Sequence, residues 1–237
     1  MKLSKYVDHT ILKAFATRKD IENLCSSAKK YDFASVCINP MYVSLARDLL
    51  QGTDVNICTV IGFPLGANTT AVKAAETEQA YNDGCDEFDM VIAVGALKEG
   101  RYDYVRRDIE AVVRAAKGKV VKVIIETAYL TEEEKIMACK LSTEAGATFV
   151  KTCTGFSTAA DAPNVATVDD IRLMKANIGP GMKVKASSGI RTYEDAKALI
   201  EAGAEWLGTS AGAKIVEGEL SAKTFVKLGE SARQNLK

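Results

Sequence analysis

The sequence predicts an α/β protein in which eight parallel strands close into a (β/α)8 barrel, as a single domain over residues 1–237. Three observations carry that expectation. The 237 residues, 47% of them hydrophobic, are enough for one substantial core, and the length sits close to the ~250 residues typical of such a barrel. Eight short apolar runs follow one another, separated by stretches with helical periodicity, which implies parallel pairing. A helix start, a glycine stop and a strand recur in the same order, with no linker, low-complexity tract or charge block between them. An open doubly wound sheet is the alternative, although no GxGxxG turn follows a strand here.

In chain order, YVDHT at 6–10 is a short first strand, and Thr17 with Asp20 opens the first long helix. ASVCIN at 34–39, VNICTVIGF at 55–63 and DEFDMVIAV at 86–94 are the second to fourth strands, and KVVKVIIET at 119–127 is the fifth. Thr131 with Glu134 begins a helix that Gly146 can close before ATFVKT at 147–152. Thr167 with Asp170 does the same up to Gly179, before MKVKAS at 182–187. Thr192 with Asp195 begins a helix that Gly203 can close before EWLGTS at 205–210. Each Thr and acid pair fits a capping box or a relative of it. The Thr oxygen accepts from an orphan helix N–H, and the acid sits favourably in the positive first turn.

Composition excludes several classes of function. Thirty-one basic residues balance thirty-one acidic ones, so the overall field gives no reason to expect nucleic acid or an anionic membrane as partner. The expected partner is a small molecule. The six cysteines, at 25, 37, 58, 85, 139 and 153, show no CxxC pair or tight spacing that would clamp a metal. They read as small apolar residues in a reducing compartment. MKLSKYVDHT lacks the apolar stretch of a signal peptide, and no run approaches the ~20 apolar residues of a membrane span, so a cytoplasmic protein is expected. His9 is the only histidine, which rules out a three-histidine zinc site and leaves acid and base work to carboxylates, lysines and water.

The chemistry is expected at the carboxyl ends of the strands, where barrels of this kind place their sites. Asp8, Asn39, Asp89, Glu126, Lys151, Lys185 and Ser210 lie there and read as one polar mouth, although strand ends also turn polar simply on entering loops. The two lysines are harder to explain that way. Lys151 ends the run FVK before TCTG, and Lys185 ends MKVK before ASSG on the next strand. A lysine buried in a barrel is costly without a carboxylate partner or a task. Neighbouring strands lie about 4.8 Å apart, and two unit charges ~4 Å apart at an effective dielectric near 20 repel by roughly 4 kcal/mol, about three pKa units. Such repulsion would bring one amine close to neutral pH, as Schiff-base chemistry requires. The alternative is a static ion network in which each lysine pairs with a carboxylate such as Asp89 or Glu126. Asp89, at the same parity as Glu87 and Val91, can orient the lysines and move protons, or act as a structural counter-ion. His9, beside Asp8, reads as a satisfied structural group.

Three glycine-containing turns follow the sixth, seventh and eighth strands: TG at 154–155, SSG at 187–189 and GTSAG at 208–212. Such turns present backbone N–H groups with a helix N-terminus behind them, and the last two strands of a barrel often hold phosphate.

With these residues in place the chain resembles the deoxyribose-phosphate aldolase family along nearly its whole length. The resemblance rests on YVDHTIL (6–12), VCINP (36–40), TVIGFPLGANTT (59–70), FDMVIAVGALK (88–98), KVIIET (122–127), FVKTCTGF (149–156), VKASSGIRT (184–192) and GTSAG (208–212). It implies a TIM barrel with no metal and no organic cofactor. It also implies reversible cleavage of 2-deoxyribose 5-phosphate to acetaldehyde and glyceraldehyde 3-phosphate. In that reading Lys151 forms the imine, Lys185 lowers its pKa, Asp89 belongs to the proton relay, and electrons enter the iminium as the C3–C4 bond breaks. The family's phosphate contacts fall on Gly155, Ser188, Gly189, Gly208 and Ser210. The chain departs from the commoner pattern with Ala211 in place of a second serine, Ser188 in place of glycine, and Phe156 in place of a cation, leaving Arg191 as the nearest counter-charge. The tail SARQNLK has no tyrosine of the kind with which some relatives reach the site, so it is assigned no role. A homodimer is one assembly compatible with this reading; the oligomeric state is not fixed by the sequence.

Two rivals share the same residues. Another lysine aldolase or a transaldolase-like enzyme would keep the Schiff base and prefer a 2-hydroxylated sugar. A non-catalytic sugar-phosphate sensor would keep the pocket without turnover, but would have no need for a lysine of depressed pKa.

Overall fold

The computed structural model of the protein describes residues 2–160 and 164–222. The tail SARQNLK lies outside the described residues. The strands are β1 (Val7–Ile11), β2 (Ser35–Ile38), β3 (Asn56–Ile61), β4 (Glu87–Val91), β5 (Val120–Ile124), β6 (Phe149–Lys151), β7 (Lys183–Ser187) and β8 (Trp206–Thr209). They pair in parallel in sequence order, and β8 returns to β1, which closes the barrel and excludes the open sheet. Around it lie α1 (Arg18–Tyr31), α2 (Val43–Leu50), α3 (Thr70–Asn82), α4 (Val94–Lys98), α5 (Tyr102–Ala115), α6 (Glu132–Glu144), α7 (Val168–Asn177) and α8 (Tyr193–Glu201). Residues 212–222 are helical after β8. No helix among the described residues is long and apolar enough to cross a membrane.

The caps explain where the helices start. Thr17, Thr131 and Thr192 each make the reciprocal box with Asp20, Glu134 and Asp195. Thr167 accepts from the Asp170 amide, but the Asp170 carboxylate is taken by Lys135 at 2.7 Å, so that box is only half formed. Gly146 and Gly203 take left-handed conformations just after α6 and α8, as expected. Gly179 does not. The helix α7 stops at Asn177, and the left-handed residue is Gly181. Gly179 is small for another reason: a Cβ there would lie 2.4 Å from Thr143 Cγ2.

Period-two alternation divides the strands between two environments. Val36, Phe88, Met90, Val121, Val123 and Val184 turn outward and join Ile21, Ile109, Val112, Ile171 and Leu199 of the helices in one apolar shell. Inside the barrel, Leu12, Cys37, Cys58 and Val60 form a small apolar cluster on the β1–β3 side. Charged side chains share the rest of the interior with Val91, Ile124 and Phe149, so the core that stabilises the fold is mainly the layer between strands and helices.

One buried ion pair ties that shell to the loops. Lys73 on α3 is fully buried, with Nζ 2.5 Å from Asp108 Oδ2 on α5 and 2.9 Å from the Val91 carbonyl, while Thr70 donates to Asp108 Oδ1 at 2.8 Å. Glu76 on the same helix accepts from the Gly62 amide at 2.7 Å. The helix α3 thereby holds both the loop after β3 and the end of β4. Removing one partner strands a charge in a dry environment. Asp108→Ala is therefore expected to destabilise the fold by about 3–5 kcal/mol, read as a lower urea midpoint. An unchanged midpoint would show that the pair does not hold the helices.

Candidate active site

The lysines expected at the site meet inside the barrel. Lys151 and Lys185 are register partners on β6 and β7, and both are buried. Lys151 Nζ lies 2.7 Å from Asp89 Oδ2 and Lys185 Nζ lies 2.6 Å from the same oxygen. The two amines are as close as the strand spacing predicts. They are bridged by a carboxylate, however, so bare repulsion is not the governing interaction.

Three further charged side chains complete the arrangement, none of them in the expected catalytic set. Lys185 also donates to Asp8 Oδ2, across the β7–β8–β1 seam of the barrel. Lys122 on β5 pairs with Asp89 Oδ1 at 3.0 Å and with Glu87 Oε2 at 2.5 Å. The interior thus holds three lysines and three acidic side chains. Lys122 carried a readable signal, since it interrupts a fully apolar strand between Val121 and Val123. Asp8 carried a weaker one at the end of β1, and nothing in the linear sequence marks it as the partner of Lys185, 177 residues away.

The charges set each other's protonation. Burial alone would push the Lys185 ammonium down, but Asp8 and Asp89 more than offset it and hold its pKa well above the usual lysine range. Lys122 behaves likewise: burial opposes its charge, and its carboxylate partners Asp89 and Glu87 outweigh that effect. Burial would raise the Asp89 carboxyl, yet Lys122, Lys151 and Lys185 bring it well below the ordinary range. Lys185 is therefore a firmly charged ammonium that competes with Lys151 for one oxygen of Asp89.

The cysteine reading needs correction at one point. Cys37 and Cys58 are register partners on β2 and β3, and with Asp8 and Asp89 they form a buried group of four potential metal donors that no sequence spacing revealed. Both aspartates already serve the lysines, and Cys58 Sγ donates to Asp89 Oδ1 at 3.1 Å. Burial pushes the Cys58 thiol well above its usual pKa, which keeps it protonated. Cys58 acts here as a weak donor within the charge network, as well as a small apolar residue.

The polar residues listed at strand ends divide by depth. Asp8, Asp89, Lys151 and Lys185 are enclosed in the barrel, below the rim. Asn39 stands at the rim and donates to the Lys13 carbonyl, and Ser210 is exposed. Glu126 contacts neither lysine; it accepts from the Thr154 amide and hydroxyl. His9 packs its ring 4.9 Å from that of Phe33, and burial lowers its pKa, but it lines the cavity and its buried Nδ1 has no hydrogen-bond partner among the described residues, so it is not the satisfied group expected.

Above the charged interior a cavity of about 580 Å³ opens between the first strand and the last three. Ser188, Gly189, Gly208 and Ser210 line it, as do Lys13 and Arg191. Gly155 does not, although its neighbours Thr154 and Phe156 do. Threonines shape these walls. Thr152 Oγ bridges β6 to β7 by donating to the Ser187 carbonyl and accepting from its amide, both at 3.0 Å. Thr209 Oγ donates to the Ile190 carbonyl at 2.7 Å and accepts from the Ala211 amide. Ser188 is left-handed at φ 78°, a conformation that costs a non-glycine residue roughly 1–2 kcal/mol. Its hydroxyl is committed to the Asn164 carbonyl, leaving only its amide for a ligand. At Gly208 a Cβ would lie 3.1 Å from Lys185 Cε, so the absence of a side chain there makes room for the lysine.

Comparison with known proteins places this geometry. The chain is 56% identical to a deoxyribose-phosphate aldolase of Streptococcus gordonii, over 95% of this chain and 100% of that protein. It is 58% identical to one of Thermococcus gammatolerans, over 94% and 99%. Its fold superposes with a TM-score of 0.87 on a solved structure from Coccidioides immitis at 45% identity, covering 92% of this chain and 86% of that one. A deoxyribose phosphate aldolase from Aeropyrum pernix, described as a tetramer, matches with a TM-score of 0.85 at 33% identity, over 93% and 92%. The model of the DeoC/LacD family of aldolases matches residues 2–218, and this chain belongs to that family.

Proposed function

We propose that the protein is a Schiff-base aldolase that reversibly cleaves 2-deoxyribose 5-phosphate to acetaldehyde and glyceraldehyde 3-phosphate, with one barrel domain over residues 1–237 carrying the reaction. The observation that supports it most is the sharing of Asp89 Oδ2 between Lys151 and a firmly charged Lys185. Lys151 is the nucleophile, for it ends β6 three residues before Thr154, which lines the cavity, and has one carboxylate partner, whereas Lys185 is held between two.

The free amine of Lys151 adds to the C1 aldehyde, and loss of one water gives the iminium. Counting carbons moves the cleavage from the expected C3–C4 bond to C2–C3, since two carbons leave as acetaldehyde and three as glyceraldehyde 3-phosphate. The C3 hydroxyl gives up its proton, the C2–C3 electrons pass into the iminium, and an enamine remains on Lys151. Protonation at C2 and addition of one water release acetaldehyde and restore the amine. Asp89 and Lys185 carry these protons with water, because Asp89 Oδ2 touches both amines.

The phosphate sits at the amides of Ser188, Gly189, Gly208 and Ser210, with Lys13 and Arg191 adding positive charge at the cavity; Gly155, expected among them, lies outside the lining, between Thr154 and Phe156, which are part of it. The substrates are small molecules. The six cysteines are all unpaired and buried, which suits a cytoplasmic home. A homodimer remains the assembly proposed.

Steady-state cleavage of 2-deoxyribose 5-phosphate, compared with sugar phosphates bearing a 2-hydroxyl, tests the reading. Preference for the 2-deoxy sugar is expected. Preference for the 2-hydroxylated sugars would favour a transaldolase-like enzyme, and tight binding without turnover a sensor.

A further inference from the structure

Glu126 is a buried carboxylate that the mechanism above does not use. It follows β5 in a left-handed conformation, φ 54° and ψ 69°. That backbone costs a non-glycine residue roughly 1–2 kcal/mol, and burial penalises the charge as well, pushing the carboxyl pKa up. Such costs persist where the surroundings hold them in place, often at functional sites.

The contacts show what Glu126 holds. Its oxygens accept from the Thr154 amide at 3.3 and 3.2 Å, and one also accepts from the Thr154 hydroxyl. Thr154 Oγ in turn accepts from the Phe156 amide at 2.9 Å. Beside it, the Thr127 amide donates to the Thr152 carbonyl at 3.1 Å. Residues 126 and 127 therefore lie along the turn that begins one residue beyond Lys151. The amides on both sides of Gly155 are spent within the protein, and Gly155 is left as the turn's exposed donor position. A Cβ on Gly155 would lie 3.8 Å from Ser188 Oγ, which puts this turn against the second phosphate turn.

A negative charge behind a phosphate subsite works against the ligand unless its hydrogen bonds return more than its field removes. Here those bonds fix two consecutive links of the turn, Thr154 and Phe156. We infer that Glu126 is a positioning residue, which locks the Thr154–Phe156 turn as one wall of the phosphate subsite and so sets the preference for a phosphorylated sugar. This rests on the function proposed above.

The test is the ratio of kcat/KM for 2-deoxyribose 5-phosphate to that for unphosphorylated 2-deoxyribose, in wild type, Glu126→Gln and Thr154→Val. Glutamine keeps the volume but offers the Thr154 amide and hydroxyl one neutral carbonyl oxygen in place of a charged carboxylate, which weakens both bonds. Valine keeps the shape of threonine and removes the oxygen that links Glu126 to Phe156. In each variant the ratio is expected to fall about ten-fold, the scale of one hydrogen bond to a charged group, mainly through KM of the phosphorylated sugar. The double variant should lose little more than either single one. An equal loss on both sugars, or an unchanged ratio, overturns the inference, and Thr154→Val decides it if Glu126→Gln does not fold. A wild type inert toward 2-deoxyribose 5-phosphate would overturn the functional reading and this inference with it. An active wild type with unchanged variant ratios would overturn this inference alone.

Discussion

Lys151→Leu should lose at least about 10⁴-fold in the rate of 2-deoxyribose 5-phosphate cleavage, the scale seen when a catalytic nucleophile is removed. Leucine fills a similar volume, and Asp89 keeps two of its three lysine partners, Lys122 at 3.0 Å and Lys185 at 2.6 Å. The fold should therefore survive, with a circular dichroism spectrum like that of the wild type. Incubation with substrate and borohydride makes the assignment direct. In the wild type the reduced imine should appear as added mass on the peptide containing Lys151, and the leucine variant should carry none. Activity near the wild-type level, or an adduct found on Lys185 or Lys122, would remove Lys151 from the role of nucleophile.

The parts of this site that were legible in the sequence are those set by local rules. Most strands are apolar runs, and the Thr and acid pairs at 17 and 20, 131 and 134, and 192 and 195 cap helices because that interaction spans only three residues. Lys151 and Lys185 were legible because each closes an apolar run shortly before a glycine turn, Lys151 at the end of β6 and Lys185 in the middle of β7, and their register pairing follows from adjacency. What stayed hidden depends on closure of the barrel and on depth. Asp8 reaches Lys185 only because β8 returns to β1, and Lys73 finds Asp108 only where α3 packs on α5. Neither pairing has a sequence spacing. The electrostatics changed most for the same reason. Two lysines considered alone repel, but with Asp8, Asp89 and Glu87 beside them the interior balances its charges, and Lys185 is held protonated instead of being forced neutral. The geometry shows the ion network that was weighed as the alternative for the lysines, and that network also holds Lys185 beside Lys151.

Asp89→Asn carries the second large effect, and it separates charge from shape. Asp89 touches Lys122, Lys151 and Lys185, all of them buried. The amide keeps the volume and an acceptor oxygen but leaves Lys185 to Asp8 and Lys122 to Glu87, and it takes from Lys151 the carboxylate it is paired with. Activity should fall steeply, because the oxygen shared by Lys151 and Lys185 loses its charge. Stability at neutral pH should fall by about 3–5 kcal/mol, the cost of removing one partner from a buried charged group. The pH dependence follows from the depressed pKa of Asp89 in the folded protein. The carboxylate's contribution is fully present above its unfolded pKa of about 4 and is lost as pH falls through the lower folded value. The gap in unfolding free energy between wild type and Asp89→Asn should therefore stay nearly constant from about pH 5 to 8 and narrow only below about pH 4. Urea titrations at several pH values measure this. If the variant matched the wild type at pH 7, the interior lysines would not depend on Asp89 for their charge, and the balanced network could not be what holds Lys185 protonated beside Lys151.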